Sequence, residues 1–376
     1  MILTLATRNL FHDRIRLIVT LVGILFSIVL VAVQLGLYLG AKRMIVDMID
    51  NANGEIWVTT YGAKSFEEGG ILLTPRERSA ALSVPGVKAV VPILVQFSEW
   101  RKPSGGSTNS VLIGTDTEDG GLAPWNIIEG SALDLKLPDA VMVDKSYMTE
   151  LGISGVGETA QVERGRVRVR GMTEGIRSFT MAPYVFTTLN RARNLLGLPD
   201  ELSSFFLVQL EPGANVEAVR DDLKSRLTGT EVLTKTEFRD RSLNQWLFET
   251  GAGVAMITGA ILGLIVGVVI VAQTLYSSTK DHLNEFATLR ALGSSAGYIH
   301  KVILSQAALS AILGYILGMI VALIIVSYSK QTAMPMLMTP GLAMFLFAIT
   351  LGMCAISAIA AIMKVTKIDP AMVFSR

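Results

Sequence analysis

The segment GAGVAMITGAILGLIVGVVIVAQTLYSST, Gly251–Thr279, contains no Asp, Glu, Lys or Arg. It is longer than the run of about 20 apolar residues that a helix needs to cross the hydrocarbon core of a bilayer. A single Asp, Lys or Arg at the middle of the bilayer costs roughly 2.5–3.5 kcal/mol. The absence of these residues from so long a run therefore predicts a transmembrane helix.

Three further segments have the same character, at 17–40, 302–329 and 331–363. Only 17% of the 376 residues are charged, whereas a soluble domain carries about a quarter. We therefore predict a polytopic membrane protein with four spans. The first span could instead be a cleaved signal peptide, since Arg14 and Arg16 precede it. Its apolar region is, however, longer than the usual run of about 7–15 residues, and no A-x-A-like cleavage site follows.

The four spans divide the chain into regions of different character. We predict that region 1–40 contains an N-terminal cytoplasmic helix and the first span. Region 251–279 is the second span. Region 41–250 is a large extracytoplasmic domain with its stalk helices, and 280–301 is a short cytoplasmic helix. The remaining regions are the third span at 302–329, the fourth span at 331–363 and a cytoplasmic tail at 364–376.

The topology follows from the basic residues of the short loops, which remain preferentially in the cytoplasm. The loop between the last two spans contains Lys330 alone. More basic residues occur between spans two and three and after span four. We therefore predict that both termini are cytoplasmic and that the large domain is outside. The basic residues that set this orientation are Lys280, Arg290, Lys301, Lys364, Lys367 and Arg376.

The sequence of the large domain predicts an α+β fold. Stretches rich in β-branched and aromatic residues, such as GEIWVTTYG (54–62) and VKAVVPILVQFSEW (87–100), predict strands. Thr74-Pro75 predicts the start of a helix, with Thr as the N-cap and Pro at the first helical position. Apolar residues at helical spacing after 41 and after 237 predict that stalk helices continue the first and second spans.

No motif for catalysis or for phosphate binding was found. The three histidines match no metal-ligand spacing, and GxxxxGK[ST] and G-x-S-x-G are both missing. Any ATP that drives this protein must then be bound by another polypeptide. A net charge of +1 gives no electrostatic case for nucleic acid.

The stretch ERGRVRVRG places arginines at alternating positions, which share one face of a strand. A solvated strand face is one interpretation, and docking of an acidic partner protein is another. The arginines concerned are Arg164, Arg166, Arg168 and Arg170.

Small residues recur every fourth position in the second span and again in the third. Such a stripe lets another helix approach closely in lipid. It fits packing within the four-helix unit as well as dimerisation. The spans contain no ionisable residue, which argues against a proton- or ion-coupled carrier. The glycines concerned are Gly259, Gly263 and Gly267, and then Gly314 and Gly318.

The stretch EFATLRALGSS, 285–295, predicts an amphipathic cytoplasmic helix with Gly293 as its C-terminal residue. Asp281 and Glu285 are like charges at i,i+4, and Glu285 and Arg290 are too far around the helix to pair. A helix lying on lipid would favour a polar face rich in Lys and Arg. The mixed charges here instead favour insertion into the groove of a partner protein.

The pattern E-x-x-T-L-R-A-L-G-S at 285–294 resembles the cytoplasmic coupling motif of FtsX/MacB-type ABC transporter permeases. The order of one span, a large external domain, three spans and a basic tail is also similar to that family. Four other stretches share the resemblance, the last two with the DevC-like branch: RNLFHDRIRLIVTLVGI (8–24), KVTKIDPAMVF (364–374), VMVDKSYMTELGISGVGETAQV (141–162) and GMTEGIRSFTMAPYVFTTL (171–189).

The resemblance implies a permease homodimer in the inner membrane, with a MacB-periplasmic-core-like external domain. Two separate ATPase subunits would bind ATP and Mg²⁺, and this chain would bind no cofactor itself. The coupling helix would dock in the ATPase, and the tail at 364–376 would be a second contact. The coupling residues implied are Glu285, Phe286, Leu289, Arg290, Leu292 and Gly293.

The resemblance further implies mechanotransmission, in which closing of the ATPases tilts the spans and moves the external domains. DevC-like systems export material with a periplasmic adaptor and an outer-membrane channel. Arg164 to Arg170 are candidate adaptor contacts, and Gly175–Thr180 (GIRSFT) is a second candidate binding segment. The alternative is an FtsX-like signalling subunit that regulates an external partner such as a cell-wall hydrolase.

Overall fold

A computed structural model describes residues 2–68, 72–116, 120–282, 285, 288 and 294–365. The chain divides into two compact units. The membrane unit comprises Met1–Leu39, Val254–Lys330 and Pro335–Arg376, and the sheet domain comprises Gly40–Gly253 and Gln331–Met334. The helices in chain order are α1 Ile2–His12, α2 Arg14–Asn51, α3 Pro75–Leu82, α4 Met148–Leu151, α5 Leu189–Leu196, α6 Val216–Arg226, α7 Lys235–Leu243, α8 Ala252–Asp281, α9 Ala296–Ser329 and α10 Pro340–Val365.

Four of these helices, α2, α8, α9 and α10, are long and apolar enough to cross a membrane. The fourth begins at Pro340, whereas its apolar run begins at 331. Proline disfavours the helical conformation of the residue before it, and Thr339 Oγ1 accepts a hydrogen bond from Leu342 N at 3.1 Å. Thr339 thus caps the helix, and residues 331–339 form an irregular connection.

The described part of the sheet domain contains one mixed ten-stranded sheet. Its order is β10-β1-β9-β2-β3-β8-β5-β7-β4, and β6 pairs with both β2 and β7. Most neighbours are antiparallel, but β3–β8 and β5–β7 are parallel. The strands are β1 Ile56–Thr60, β2 Val87–Arg101, β3 Ser107–Thr115, β4 Ile127–Glu129, β5 Ala140–Asp144, β6 Thr159–Val162, β7 Gly165–Thr173, β8 Tyr184–Thr188, β9 Phe205–Leu210 and β10 Thr230–Thr234.

An aromatic cluster forms the centre of the main core of the sheet domain. The Trp57 ring lies edge-on to Phe66 and Phe205, with centroids 6.0 and 5.8 Å apart. Phe238 of α7 closes the cluster at 5.2 Å from Trp57. Met48 and Ile49, near the end of α2, are buried in the same core. Aromatic pairs at these distances contribute about 0.5–1.5 kcal/mol beyond the burial of their area.

The first predicted stalk helix is confirmed, and the second is only partly so. Helix α2 continues uninterrupted to Asn51. After α7, however, the chain forms a π-helix at Asn244–Glu249 and then leaves the helical conformation at Gly251, whose φ is +79°. A left-handed residue ends a helix, so α8 starts anew at Ala252. The prediction that this stalk runs directly into the second span was therefore wrong.

The contact between β3 and α5 has no room for a side chain at Gly114. A Cβ atom there would lie 2.5 Å from Ala192 Cβ and 3.3 Å from Leu189 Cα. We expect Gly114→Ala to destabilise the sheet domain by about 1–3 kcal/mol, as for other overpacked cores. Each kcal/mol lowers the Tm of a domain of this size by about 2–4 °C.

Thermal unfolding followed by tryptophan fluorescence measures this effect, because all four tryptophans, Trp57, Trp100, Trp125 and Trp246, belong to the sheet domain. The matched control is Gly155→Ala, since no atom lies within 4 Å of a Cβ at Gly155. Equal Tm values for the two variants would contradict the packing described here.

Candidate functional site

The predicted coupling helix is described only in part. Phe286, Leu289, Arg290, Leu292 and Gly293 lie outside the described residues, as does the tail after 365. Glu285 is described, is helical, and has a side chain that is 60% exposed. The role of this segment in ATPase coupling stays a prediction.

Both carboxylates at the start of this segment have basic neighbours. His282 Nδ1 lies 3.0 Å from Glu285 Oε2, and Arg16 Nη2 donates to Asp281 Oδ2 at 2.5 Å. Asp281 therefore has an ion-pair partner outside its own helix, and Glu285 has a histidine beside it, which the charge pattern of the segment alone does not predict. Sequence reasoning missed Arg16 because it is 265 residues away from Asp281 in the chain.

The corner between α1 and α2 brings more residues to the same place. Asp13 separates the two helices and accepts a hydrogen bond from Arg16 N at 3.2 Å, which caps α2. Its other carboxylate oxygen lies 3.2 Å from Arg16 Nη2. The ring of His12 is 6.4 Å from that of His282. This corner thus contacts the residues that immediately precede the coupling helix.

The glycine stripe of α8 faces α2 of the same chain. A Cβ at Gly263 would lie 3.0 Å from Leu30, and one at Gly267 would lie 2.3 Å from Ser27 Oγ. Ser27 Oγ in turn donates to the carbonyl of Gly263 at 2.8 Å. This close approach and its interhelical hydrogen bond are the contacts that small residues permit in lipid.

The other three predicted packing glycines also contact α2. Gly259 meets Gln34, Gly314 meets Ile24 and Gly318 meets Ile28, each with a prospective Cβ distance of 3.0 Å or less. All five predicted packing glycines thus contact α2 of the same chain, and a part of the stripe in dimerisation stays a prediction. Helix α2 is therefore the element around which α8 and α9 pack.

The predicted row of arginines lies on β7, with one exception. Arg166, Arg168 and Arg170 share a face, and Val167 and Val169 on the opposite face are buried in a core cluster. Arg164 instead occupies the exposed turn between β6 and β7. The strand alternation explains the row, whereas a turn residue follows no alternation.

One carboxylate offsets part of the positive charge of this row. Asp139 lies 3.8 Å from Arg168 Nε and 3.8 Å from Arg170 Nη2 through its two oxygens. Arg166 uses its Nη2 for a 3.4 Å hydrogen bond to the neutral Thr159 hydroxyl. The face and the adjoining turn therefore carry excess positive charge.

Two buried carboxylates hold the candidate segment Gly175–Thr180. The first is Asp144, at the end of β5, which is 2% exposed. Asp144 Oδ2 accepts from Ile176 N at 2.8 Å and from Thr173 Oγ1 at 3.0 Å, and Oδ1 accepts from Ser146 N at 3.0 Å. A buried carboxylate requires such a set of donors.

The second carboxylate is Glu67, which is 4% exposed. It accepts hydrogen bonds from Phe179 N at 3.0 Å, Thr180 N at 3.2 Å and the Tyr184 hydroxyl at 2.5 Å. Burial raises the pKa of Tyr184 well above its usual value. Tyr184 therefore remains a neutral phenol and keeps its proton for this hydrogen bond.

The segment Gly175–Thr180 also contacts the π-helix Asn244–Glu249, which precedes the second span. The rings of Phe179 and Trp246 are 5.3 Å apart. The loop that contains Glu67 makes two further contacts to the π-helix: Lys64 Nζ to Glu249 at 2.8 Å and Gln245 to Glu68 at 3.4 Å. Trp246 of the π-helix thus packs against a ring of its own domain. π-Helices are frequent at functional sites.

In the described part of the chain, neither arrangement contains a set of grouped metal ligands. Among the described residues, no three His, Cys, Asp or Glu side chains are grouped so that they could hold a metal ion. The buried carboxylates Asp144 and Glu67 accept hydrogen bonds from loop backbone, and in the arginine row Arg166 is exposed while Arg168 and Arg170 are half-buried.

Two protein families match the chain over most of its length. The MacB-like periplasmic core domain matches residues 17–226, and the FtsX-like permease C-terminal region matches residues 257–370. The chain belongs to the FtsX/MacB-type permeases of ABC transporters.

Two relatives illustrate this membership. An uncharacterized ABC transporter permease of Mycobacterium tuberculosis strain H37Rv is 24% identical over 385 residues, which cover 98% of each chain. The macrolide export ATP-binding/permease protein MacB of Agrobacterium fabrum strain C58 is 24% identical over 344 residues. That alignment covers 85% of this chain and 52% of MacB.

Two solved structures are similar to the sheet domain. The extracellular domain of the ABC-type transporter YknZ from Gram-positive bacteria is 17% identical, with a TM-score of 0.35, over 47% of this chain and 98% of that one. The periplasmic region of MacB from Actinobacillus actinomycetemcomitans is 12% identical, with a TM-score of 0.37, over 52% of this chain and 96% of that one.

Removal of the Glu67 carboxylate tests how the segment Gly175–Thr180 is held. In Glu67→Ala, the amide of Phe179 loses its acceptor, and the amide of Thr180 keeps only Ser178 Oγ at 3.1 Å. An unsatisfied buried group costs about 1–3 kcal/mol, and these half-buried amides contribute part of that cost. We expect faster amide hydrogen exchange in a peptide that covers this segment, measured by mass spectrometry on the full chain. Peptides from β3 should exchange at the wild-type rate.

The control for this measurement is Glu217→Ala, which removes an exposed carboxylate from α6. Unchanged exchange in the segment of the Glu67→Ala protein would show that the segment is held by other contacts.

Proposed function

We propose that the chain is the permease subunit of an ATP-driven exporter whose ATPase is a separate polypeptide that binds ATP and Mg²⁺. The match to the FtsX-like permease region at 257–370 carries this proposal, since it spans the coupling helix. The sequence has no GxxxxGK[ST] motif. MacB, a protein named for both ATP binding and permease activity, is matched over only 52% of its length.

The coupling helix is the proposed ATPase contact. Its stripe of Phe286, Leu289 and Leu292 suits a hydrophobic groove, while Glu285 and Arg290 set its orientation through charge. The exposure of Glu285 supports this assignment, because a residue that docks in a partner must be accessible in the free chain.

We propose mechanotransmission rather than passage of substrate through the spans. The four apolar runs contain no ionisable residue with which to bind a polar substrate or relay ions. The glycine contacts of α8 and α9 with α2 support this proposal, since closely packed helices can transmit a tilt. Work is then done by the sheet domain on material outside the bilayer.

The proposed assembly is a homodimer in the inner membrane, with both termini cytoplasmic and the sheet domain periplasmic. Its support is the distribution of basic residues in the short loops together with family membership. The membrane unit also retains apolar faces that lipid or a second copy would cover. Exposed residues of this kind include Ile18, Val22 and Phe26 of α2 and Ile261, Ile265 and Val269 of α8.

The proposed external partner is a periplasmic adaptor connected to an outer-membrane channel. The resemblance to the DevC-like branch suggests it, and the excess positive charge of the β7 face supports contact with an acidic segment. Arg164 and Arg166 are the best candidates, because both are exposed and neither forms an ion pair with Asp139.

Purification of the tagged full chain from its native host in mild detergent tests the ATPase contact. We expect a separate ABC ATPase and vanadate-sensitive ATP hydrolysis to co-purify with the wild type. Both should be lost from the Glu285→Ala, Arg290→Ala double variant, because the docking helix loses both orienting charges.

The matched control is Glu217→Ala with Lys224→Ala, which removes one charge of each sign from the exposed surface of α6. Full recovery of the ATPase with the Glu285/Arg290 variant would disprove the assigned contact. A wild-type chain that purifies alone and hydrolyses no ATP would disprove the proposed function.

The same purification, after mild cross-linking, tests the external contact. We expect Arg164→Glu with Arg166→Glu to lose the adaptor and to keep the ATPase, because charge reversal in an interface is repulsive. Arg76→Glu with Lys88→Glu is the control, since it reverses two exposed charges elsewhere on the sheet domain. Recovery of a cell-wall hydrolase in place of an adaptor would favour the signalling role.

A further inference from the structure

At the corner between α1 and α2, Asp13 fixes the orientation of the Arg16 guanidinium. Asp13 caps the first turn of α2 through Arg16 N, at 3.2 Å, and its second oxygen lies 3.2 Å from Arg16 Nη2. One carboxylate therefore sets both the start of the helix and the direction of the Arg16 side chain. A side chain held in this way loses little further entropy when it binds another group.

That other group is the carboxylate that ends α8. Arg16 Nη2 donates to Asp281 Oδ2 at 2.5 Å, and the Arg16 side chain is only 23% exposed. The Asp281 side chain is 57% exposed, so water screens this ion pair in part, and it is the double hold on Arg16 by Asp13 that fixes its geometry. Asp281 is the last residue of α8 and lies four residues before Glu285, so this pair joins the end of α8, just before the coupling helix, to the first turn of α2.

The corner also contacts α9, the helix that follows the coupling segment. Asn9, Gln306 and Ser310 are 8%, 3% and 0% exposed, and each has a buried polar atom without a protein partner. All three line a cavity of about 20 Å³, which is room for one water molecule. A water molecule there would join α1 to α9, since buried polar groups require hydrogen-bond partners.

Helix α2 leads from this corner into the core of the sheet domain. Its 38 residues are uninterrupted, and Met48 and Ile49 near its end are buried in the aromatic core. The connection before α8 is different in kind, because it contains a π-helix and a left-handed Gly251. A continuous helix transmits displacement along its axis, whereas such irregularities are sites of bending.

We propose that Arg16 is a positioning residue that links the coupling helix to α2, so that movement of the coupling helix reaches the sheet domain through α2. This inference rests on the proposed function, since the ATPase supplies the movement. It assigns the Arg16–Asp281 pair a role in transmission that is separate from binding of the ATPase.

The test uses the full chain with its co-purified ATPase in lipid nanodiscs. Cys354 is the single cysteine, so a Cys354→Ala chain with Asn51→Cys accepts one environment-sensitive fluorophore at the end of α2. The measurement is the change in fluorophore emission between the Mg-ADP and Mg-ATP-vanadate states. ATPase recovery and basal hydrolysis are measured in the same samples.

Arg16→Glu and Asp281→Arg, each alone, should lose most of the nucleotide-dependent change and still recover the ATPase. The double variant Arg16→Glu, Asp281→Arg restores opposite charges between the two positions and should regain part of the change, because Asp13 repels the carboxylate introduced at position 16. Arg14→Glu is the control, because Arg14 is exposed at the same helix start. If a charge reversal prevents folding, Asp281→Asn is the milder variant. It is also expected to lose the nucleotide-dependent change in emission.

The outcomes distinguish the proposed role of Arg16 from the proposed function of the chain as a permease subunit. Unchanged emission responses in Arg16→Glu and Asp281→Asn, with the ATPase bound, would overturn the role of Arg16 and leave the proposed function in place. An equal loss in the Arg14→Glu control would also overturn it, as a general effect of charge. Failure of the wild-type chain to bind an ATPase would overturn the proposed function and this inference together.

Discussion

The hydrocarbon core of the bilayer is the constraint on which the rest of this structure depends. It excludes charges and unsatisfied backbone groups, so each crossing must be an apolar helix. Apolar side chains gain little from one another in lipid, and close backbone approach becomes the means of packing. The glycines of α8 and α9 serve this purpose against α2, and Ser27 adds a hydrogen bond to the carbonyl of Gly263.

Outside the bilayer, the hydrophobic effect and buried hydrogen bonds stabilise the fold. The sheet domain is held by burial of aromatic and β-branched side chains, and two carboxylates buried in it, Asp144 and Glu67, each accept several hydrogen bonds. Asp144 and Glu67 use those hydrogen bonds to hold the segment Gly175–Thr180 against the sheet. Ordering a loop in this way reduces the entropy that a partner must overcome on binding.

Local patterns were reliable where a single element decides the outcome. The first three apolar runs, the Thr74-Pro75 helix start and the alternation of Arg166, Arg168 and Arg170 on β7 lie where the sequence predicts. The errors occur where two elements meet. The second stalk is broken at Gly251, the fourth span begins later at Pro340, and Asp281 is paired rather than free.

The sequence by itself determined the number of apolar helices, the α+β character of the inserted domain and membership in the FtsX/MacB-type permeases, because composition, periodicity and motif order are local properties. Only the tertiary structure decided which helix the glycines face and which carboxylates brace Gly175–Thr180. Only the tertiary structure also decided that Arg16 meets Asp281. These contacts join residues tens to hundreds of positions apart, and no pattern along the chain records which distant group will satisfy a buried charge.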